Sequence, residues 1–114
     1  MSDMDKQGIL GNLLQELNRG TLVFIVLLNA SQPGYGYSLI NQLQEAGVSI
    51  DQNTLYPLLR RLEKQGLLSS EWDTTEARPR KYYKISDAGR EILDELIIEW
   101  QKTNQVIEQM ISKN

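Results

Sequence analysis

Residues 49–85 read SIDQNTLYPLLRRLEKQGLLSSEWDTTEARPRKYYKI, and a change of period inside this stretch decides the fold. Leu55, Leu58, Leu59 and Leu62 recur at the three-four spacing of a buried helix stripe, while Asn53, Pro57, Arg60 and Lys64 fall on another side. One face suits a core and the other is free. After Gly66 the pattern becomes strand-like, with Leu67 to Trp72 and Arg80 to Ile85 flanking the polar turn Asp73 to Pro79. A helix followed by a basic two-stranded ribbon predicts a winged helix-turn-helix, mainly α with a small β-hairpin.

The start of that helix is open to more than one reading. Ser49 with Gln52 fits a capping box, and Asp51 or Asn53 offers a competing cap. Pro57 has no N–H to donate, so either the regular helix begins late or it is kinked there. An exposed helix start suits DNA, because its free amides favour phosphate and a helix fits the major groove. Arginine either reads guanine bidentately or clamps phosphate, and asparagine can pair with adenine.

Standing alone, Arg60, Arg61 and Lys64 would be a solvated charged face. They do not stand alone: residues 60–90 hold eight of the twelve basic residues and five acids, a local charge near +3 in a chain that totals −3. An acidic total argues against a diffuse nucleic-acid surface but permits a compact positive patch. In the second strand Lys81, Tyr83 and Ile85 share one face, and Arg80, Tyr82 and Lys84 the other. Tyr83 and Ile85 are expected inward, although a register shift would exchange the faces. Arg78 and Arg80 flank a proline at the ribbon tip, which suits a wing contact to phosphate or the minor groove.

Working outward, the chain of 114 residues, 40% hydrophobic, makes one small domain with modest burial of its own, leaving surface for a partner. With no cysteine and no histidine it lacks disulfides, thiol nucleophiles, imidazole bases and the usual zinc ligands, so no cofactor or metal is expected. The first residues do not resemble a secretory signal, and the apolar run Leu22 to Leu28 is far short of a bilayer span. A cytoplasmic protein without a membrane partner is the expectation. Ile9, Leu10, Leu13, Leu14 and Leu17 form a helix stripe, and Leu22 to Leu28, apolar on every side, continues it beyond Gly20. After the Ser31–Gly34 break, Tyr35 to Gln44 reads as a short supporting helix, with Tyr35 and Tyr37 as packing anchors and Gly47 as its stop.

Ser86 caps a last helix expected to run to about Ser112. Leu93, Leu96, Trp100, Thr103, Ile107 and Met110 lie at three-four spacing along it, broadened by Ile97 and Ile111. That face is too long for its own domain, so a homodimer is expected, whose two-fold symmetry would present two reading helices to a palindromic site. The organisation predicted is a helical extension over residues 1–17, a winged helix over 18–85 and a dimerisation helix over 86–114.

Four segments together resemble the PadR family of transcriptional regulators: Arg19-Gly20-Thr21-Leu22, Tyr35-Gly36-Tyr37, Thr54 to Glu63, and Arg80 to Ser86. Known members are dimeric winged-helix proteins, usually repressors of phenolic-acid stress, drug-efflux or related operons, and the short last helix is similar to their compact subgroup. The resemblance implies that Asn53, Thr54, Tyr56, Pro57 and Arg60 lie near the DNA-facing start of the recognition helix. It also implies that Arg78, Arg80 and Lys81 form the basic wing, with Tyr82 and Tyr83 supporting it; Lys64 joins the surface from its place on the helix. In multidrug-sensing relatives a tryptophan matching Trp100 projects into a cavity at the dimer centre, where flat molecules stack. Here Val23, Phe24, Ile97 and Asn104 are its expected neighbours; Phe24 is large enough to fill such a cavity, and Asn104 brings no charge for a cationic drug.

The function expected is sequence-specific binding of double-stranded promoter DNA by a repressor, with a small planar effector as its release signal. One alternative is a winged-helix interaction module that does not read DNA, which would not need the concentrated basic patch. The other is a small enzyme, but no nucleophile-base-acid set is evident, and Glu91 and Glu95 read as helix-surface residues at i and i+4.

Overall fold

In the computed structural model, which describes residues 2–114, the α4 helix (Gln52–Lys64) turns Leu55, Leu58, Leu59 and Leu62 into the core. Around it lie α1 (Asp3–Asn18), α2 (Thr21–Ala30), β1 (Gly34–Tyr35), α3 (Gly36–Glu45), β2 (Leu68–Asp73), β3 (Arg80–Ile85) and α5 (Asp87–Lys113). The strands form one antiparallel sheet in the order β1-β3-β2. The winged-helix expectation holds, with one addition. Gly34 and Tyr35 pair with Tyr83 and Tyr82, so Tyr35 opens the sheet rather than α3.

The β2–β3 register runs from Leu68 opposite Ile85 to Asp73 opposite Arg80. This sends Tyr83 inward, 3% exposed, and leaves Tyr82 and Lys84 outside. Val26, Leu27, Ala30, Leu39, Ile40, Leu43 and Leu93 complete the core around α4. The first two helices do not merge: the chain breaks at Gly20, whose φ is 82°.

Two regions stand apart from this core. No residue of α1 is buried, and Ile9, Leu10, Leu13, Leu14 and Leu17 are all exposed. On α5, Leu93 is buried, Leu96 and Ile97 pack against the core, and Trp100, Ile107, Met110 and Ile111 face solvent. The apolar stripe read as a single dimer face is therefore divided: its first turns belong to the chain's own core. The radius of gyration, 17.4 Å, exceeds the roughly 13 Å of a compact chain this long, because these helices project.

The junction of wing and α5 is tightly made. The Ser86 side chain accepts the Gly89 amide at 2.9 Å and donates to the Gly66 carbonyl at 2.5 Å, while its own amide reaches the Leu67 carbonyl at 3.0 Å. Gly89 lies so close to the preceding turn that a Cβ there would stand 2.1 Å from the Leu67 carbonyl oxygen. Only glycine lets α5 leave at this angle.

At its far end the wing is tied to the body. The Tyr35 hydroxyl donates to Asp73 Oδ2 at 2.5 Å, while the Thr75 amide and hydroxyl donate to Oδ1 at 3.0 and 2.7 Å. The Tyr35 ring stacks on Tyr37 at 5.7 Å and meets Tyr82 edge-on at 5.1 Å. The Tyr35 bond, then the two Thr75 bonds and nearby Arg80, hold the Asp73 carboxyl down at about 2, and the same bond pushes the Tyr35 hydroxyl above its ordinary value. A carboxyl held below its unfolded value adds stability above that value and loses it as pH falls through the folded one, here between about 4 and 2.

Two outcomes are expected. Gly89→Ala should lower unfolding stability by about 2 kcal/mol or more through overpacking against backbone, read by urea denaturation; a wild-type midpoint would show that the junction yields easily. In Tyr35→Phe, which keeps the ring, the Asp73 titration followed by carboxylate NMR should rise from about 2 toward the ordinary range. An unmoved midpoint would rule out the hydroxyl as its main partner.

Candidate nucleic-acid interface

Opposite its leucine stripe, α4 presents an exposed ridge of Asn53, Pro57, Arg60 and Lys64, with Thr54 and Arg61 beside it. Asp51, rather than Ser49, caps the helix by accepting the Thr54 amide at 2.9 Å. That carboxylate takes up one of the free amides of the helix start, so its capacity to bind an anion there is reduced. Pro57 lies within the helix, which runs from Gln52 and therefore does not begin late. Its missing N–H leaves the carbonyl of exposed Asn53 without an intrahelical donor, on the side where water can supply one.

Tyr56 is half-buried and points away from the ridge, toward α3. A Cβ on Gly36 would come within 2.5 Å of the Tyr56 ring, so glycine at the start of α3 makes room for it. Tyr56, Tyr35, Tyr37 and the wing residues Arg78 to Lys81 line a cleft of about 350 Å³ between α4 and the wing.

The expected cations fall into two groups. Arg60 and Lys64 on α4 and Arg78 at the wing tip are exposed and have no ion-pair partner among the described residues. Arg80 and Lys81 are engaged within the chain. Arg80 Nη1 donates to the Tyr37 hydroxyl at 3.1 Å, its guanidinium lies 5.0 Å from that ring's centre, and Nη2 is 3.3 Å from Glu76. Lys81 Nζ is 3.0 Å from Glu63 Oε2 and faces the rings of Tyr83 and Trp72 at 5.5 and 5.9 Å.

Glu63 is the member of this site that sequence reasoning passed over. Its Oε1 accepts the Ser70 hydroxyl at 2.6 Å, and this bond, with Lys81, holds its carboxyl below the usual range against the opposing effect of burial. It ties the last turn of α4 to both wing strands at once. Burial, in turn, pushes the Tyr83 hydroxyl upward.

The residues expected around an effector are partly gathered. The Phe24 and Trp100 rings lie 6.3 Å apart at 46°, with Trp100 47% exposed and Val23, Ile97 and Asn104 half-buried. Phe24 thus covers one side of the indole. Val23 also lines a groove of about 760 Å³ bounded by Leu14, Leu22, Pro57 and Arg61. Among the described residues no cluster of three or more metal-ligating side chains occurs, and no helix is long and apolar enough to cross a membrane.

Known proteins share both the sequence and this architecture. Residues 24–95 match the Transcriptional regulator PadR-like family. The chain is 35% identical over 83 residues to Transcriptional regulator Rv3488 of Mycobacterium tuberculosis, covering 72% of this chain and 78% of that protein. It is similar to the crystal structure of a PadR family transcriptional regulator from Eggerthella lenta, with a TM-score of 0.86, 43% identity and coverage of 97% and 99% of the two chains. A PadR-like transcription factor from Bacteroides fragilis matches with a TM-score of 0.74 and 36% identity over 87% of this chain and 98% of that one. A family match across most of the winged helix, joined to a full-length likeness of fold, leaves one assignment: the chain belongs to the PadR-like family of transcriptional regulators.

Proposed function

We propose that this regulator is a cytoplasmic, homodimeric repressor that binds double-stranded promoter DNA in a sequence-specific way. The observation that carries the reading is the placing of Arg60, Lys64 and Arg78 without internal partners on one reading helix and its wing, in a chain whose total charge is negative. Asn53, Thr54, Pro57 and Arg60 approach the bases, Lys64 and Arg78 neutralise phosphate, and Tyr56, Arg80 and Lys81 support the wing from the cleft. In this reading residues 18–85 hold the DNA, residues 86–114 pair the chains, and residues 1–17 assist them. Occupying the promoter represses it, with no catalytic step.

The uncovered apolar faces of α1 and the second half of α5 support the homodimer. A helix of 16 residues with none buried is only marginally stable alone, and a second chain supplies the missing contacts. A small planar effector stacking on half-exposed Trp100 would change the spacing of the two reading helices and so release DNA; the support for it is the open side of that indole beside Phe24. An interaction module that does not touch DNA would leave the unpaired cations of α4 and the wing without a role.

Binding to a selected operator should weaken with rising salt and exceed binding to unrelated duplexes. Arg60→Ala should cost about 1–3 kcal/mol at the operator and less elsewhere; equal losses would make it a phosphate contact, and unchanged binding in the combined Arg60, Lys64 and Arg78 variant would reject the surface. Sedimentation at micromolar concentration should show two chains per particle. Ile107→Glu, on the exposed face of α5, should give folded monomers, and Trp100→Leu should weaken the pair; a persistent wild-type monomer with α5 intact would remove the dimer.

A further inference from the structure

Trp72 is 64% exposed near the tip of the wing, a large apolar surface left in water by the fold. Strand alternation puts Leu68, Ser70 and Trp72 on one face of β2, opposite Ile85, Tyr83 and Lys81 of β3. This face turns toward α4, because Ser70 and Lys81 both bond Glu63 and Tyr83 is buried. Trp72 stands one step nearer the tip, past the point where the core covers the ribbon.

Its surroundings define the chemistry it would meet. Thr74, Arg78 and Pro79 join the indole in lining a shallow apolar hollow at the tip, and the Lys81 ammonium lies 5.9 Å from the ring centre. The carboxylates of β2, Glu71 and Asp73, belong to the opposite face by the same alternation. On its Arg78 side the indole adjoins a cation unpaired among the described residues, while Lys81 is held by Glu63 and the hollow on its other side is shared with Glu71 and Asp73. It is the Arg78 side that fits a surface apolar in places and anionic around them. Deoxyribose between phosphates has that character, and apolar side chains are used in this way in the minor groove.

We propose that Trp72 is a DNA contact of the wing: its indole packs on the sugar wall of the minor groove of duplex DNA, while Arg78 takes the flanking phosphate. The inference rests on the DNA-binding reading above and adds to it an apolar contact continuous with the cationic surface. A cation and an indole leave different signatures. Removing a phosphate contact reduces the slope of log affinity against log salt by about one, whereas removing an apolar contact releases no counterion and leaves the slope unchanged.

The test uses the full chain labelled with fluorotryptophan, whose two tryptophans give two fluorine signals, that of Trp72 assigned by its loss in Trp72→Phe. On saturation with a random-sequence duplex pool at low salt, the Trp72 signal should move and lose its sensitivity to exchange of water for heavy water. Trp72→Ala should bind about tenfold more weakly, the loss typical of truncating a tryptophan anchor, with the salt slope of the parent; Arg78→Ala should lower the slope. Binding seen by gel shift with the Trp72 signal unmoved would overturn the proposal, and so would a Trp72 already shielded before DNA is added, which would place it in a protein interface. If Trp72→Ala does not fold, the fluorine signal of the parent chain decides alone. Failure to bind any duplex at any salt would instead sink the DNA-binding reading, a result separable from the others by the gel shift.

Discussion

The outward face of α4 is fixed by what its inward face cannot give up. Leu55, Leu59 and Leu62 have no exposed surface, and each contributes on the order of 1.5–3 kcal/mol by its burial. Turning the helix by one residue would bring that stripe toward water and drive Arg60 toward the core. The direction of the ridge is thus set by apolar burial, with no polar contact needed to aim it. Pro57 is tolerated for a related reason, since the bond it forfeits lies on the wet side.

The charge of the reading surface follows from how its acids are used. Between residues 60 and 90, Glu63 is held by Ser70 and Lys81, Asp73 by Tyr35 and Thr75, and Glu76 by Arg80. Glu63 braces the wing against α4 and Asp73 ties it to Tyr35 at the start of α3, while Glu76 pairs within the wing itself. Arg60, Lys64 and Arg78 are left uncompensated, so a chain with an acidic total still offers a local cationic surface.

The parts of this architecture that could be read in the sequence are those with a period. The leucine stripe of α4, the strand faces around Tyr83 and the cap at Ser86 each repeat or punctuate a pattern. Gly34–Tyr35 did not show as a strand because two residues carry no period, and its partner lies far along the chain. Glu63 carried no mark of its role in the sequence, because its meeting with Lys81 and Ser70 depends on how α4 packs on the ribbon. The α5 stripe was legible as apolar, but the same spacing serves Leu93 in the core and Ile107 in water; only the fold divides them. Trp72 lay in a legible strand, yet its exposure depends on where the core ends.

The tight seat of Gly89 against the Leu67 carbonyl has a mechanical consequence. With no linker between β3 and α5, and with Ser86 bonded to the turn after α4, the last helix is joined to the reading head as a rigid arm. Its first turns pack on the core, and the stretch from Trp100 to Lys113 makes the projecting arm about 20 Å long. In the proposed pair, a tilt of such an arm by about ten degrees would move each head by about 3 Å, comparable to the rise of one base pair. The leverage comes from stiffness at Gly89 together with the core contacts of Leu93, Leu96 and Ile97, and a floppy joint there would dissipate it.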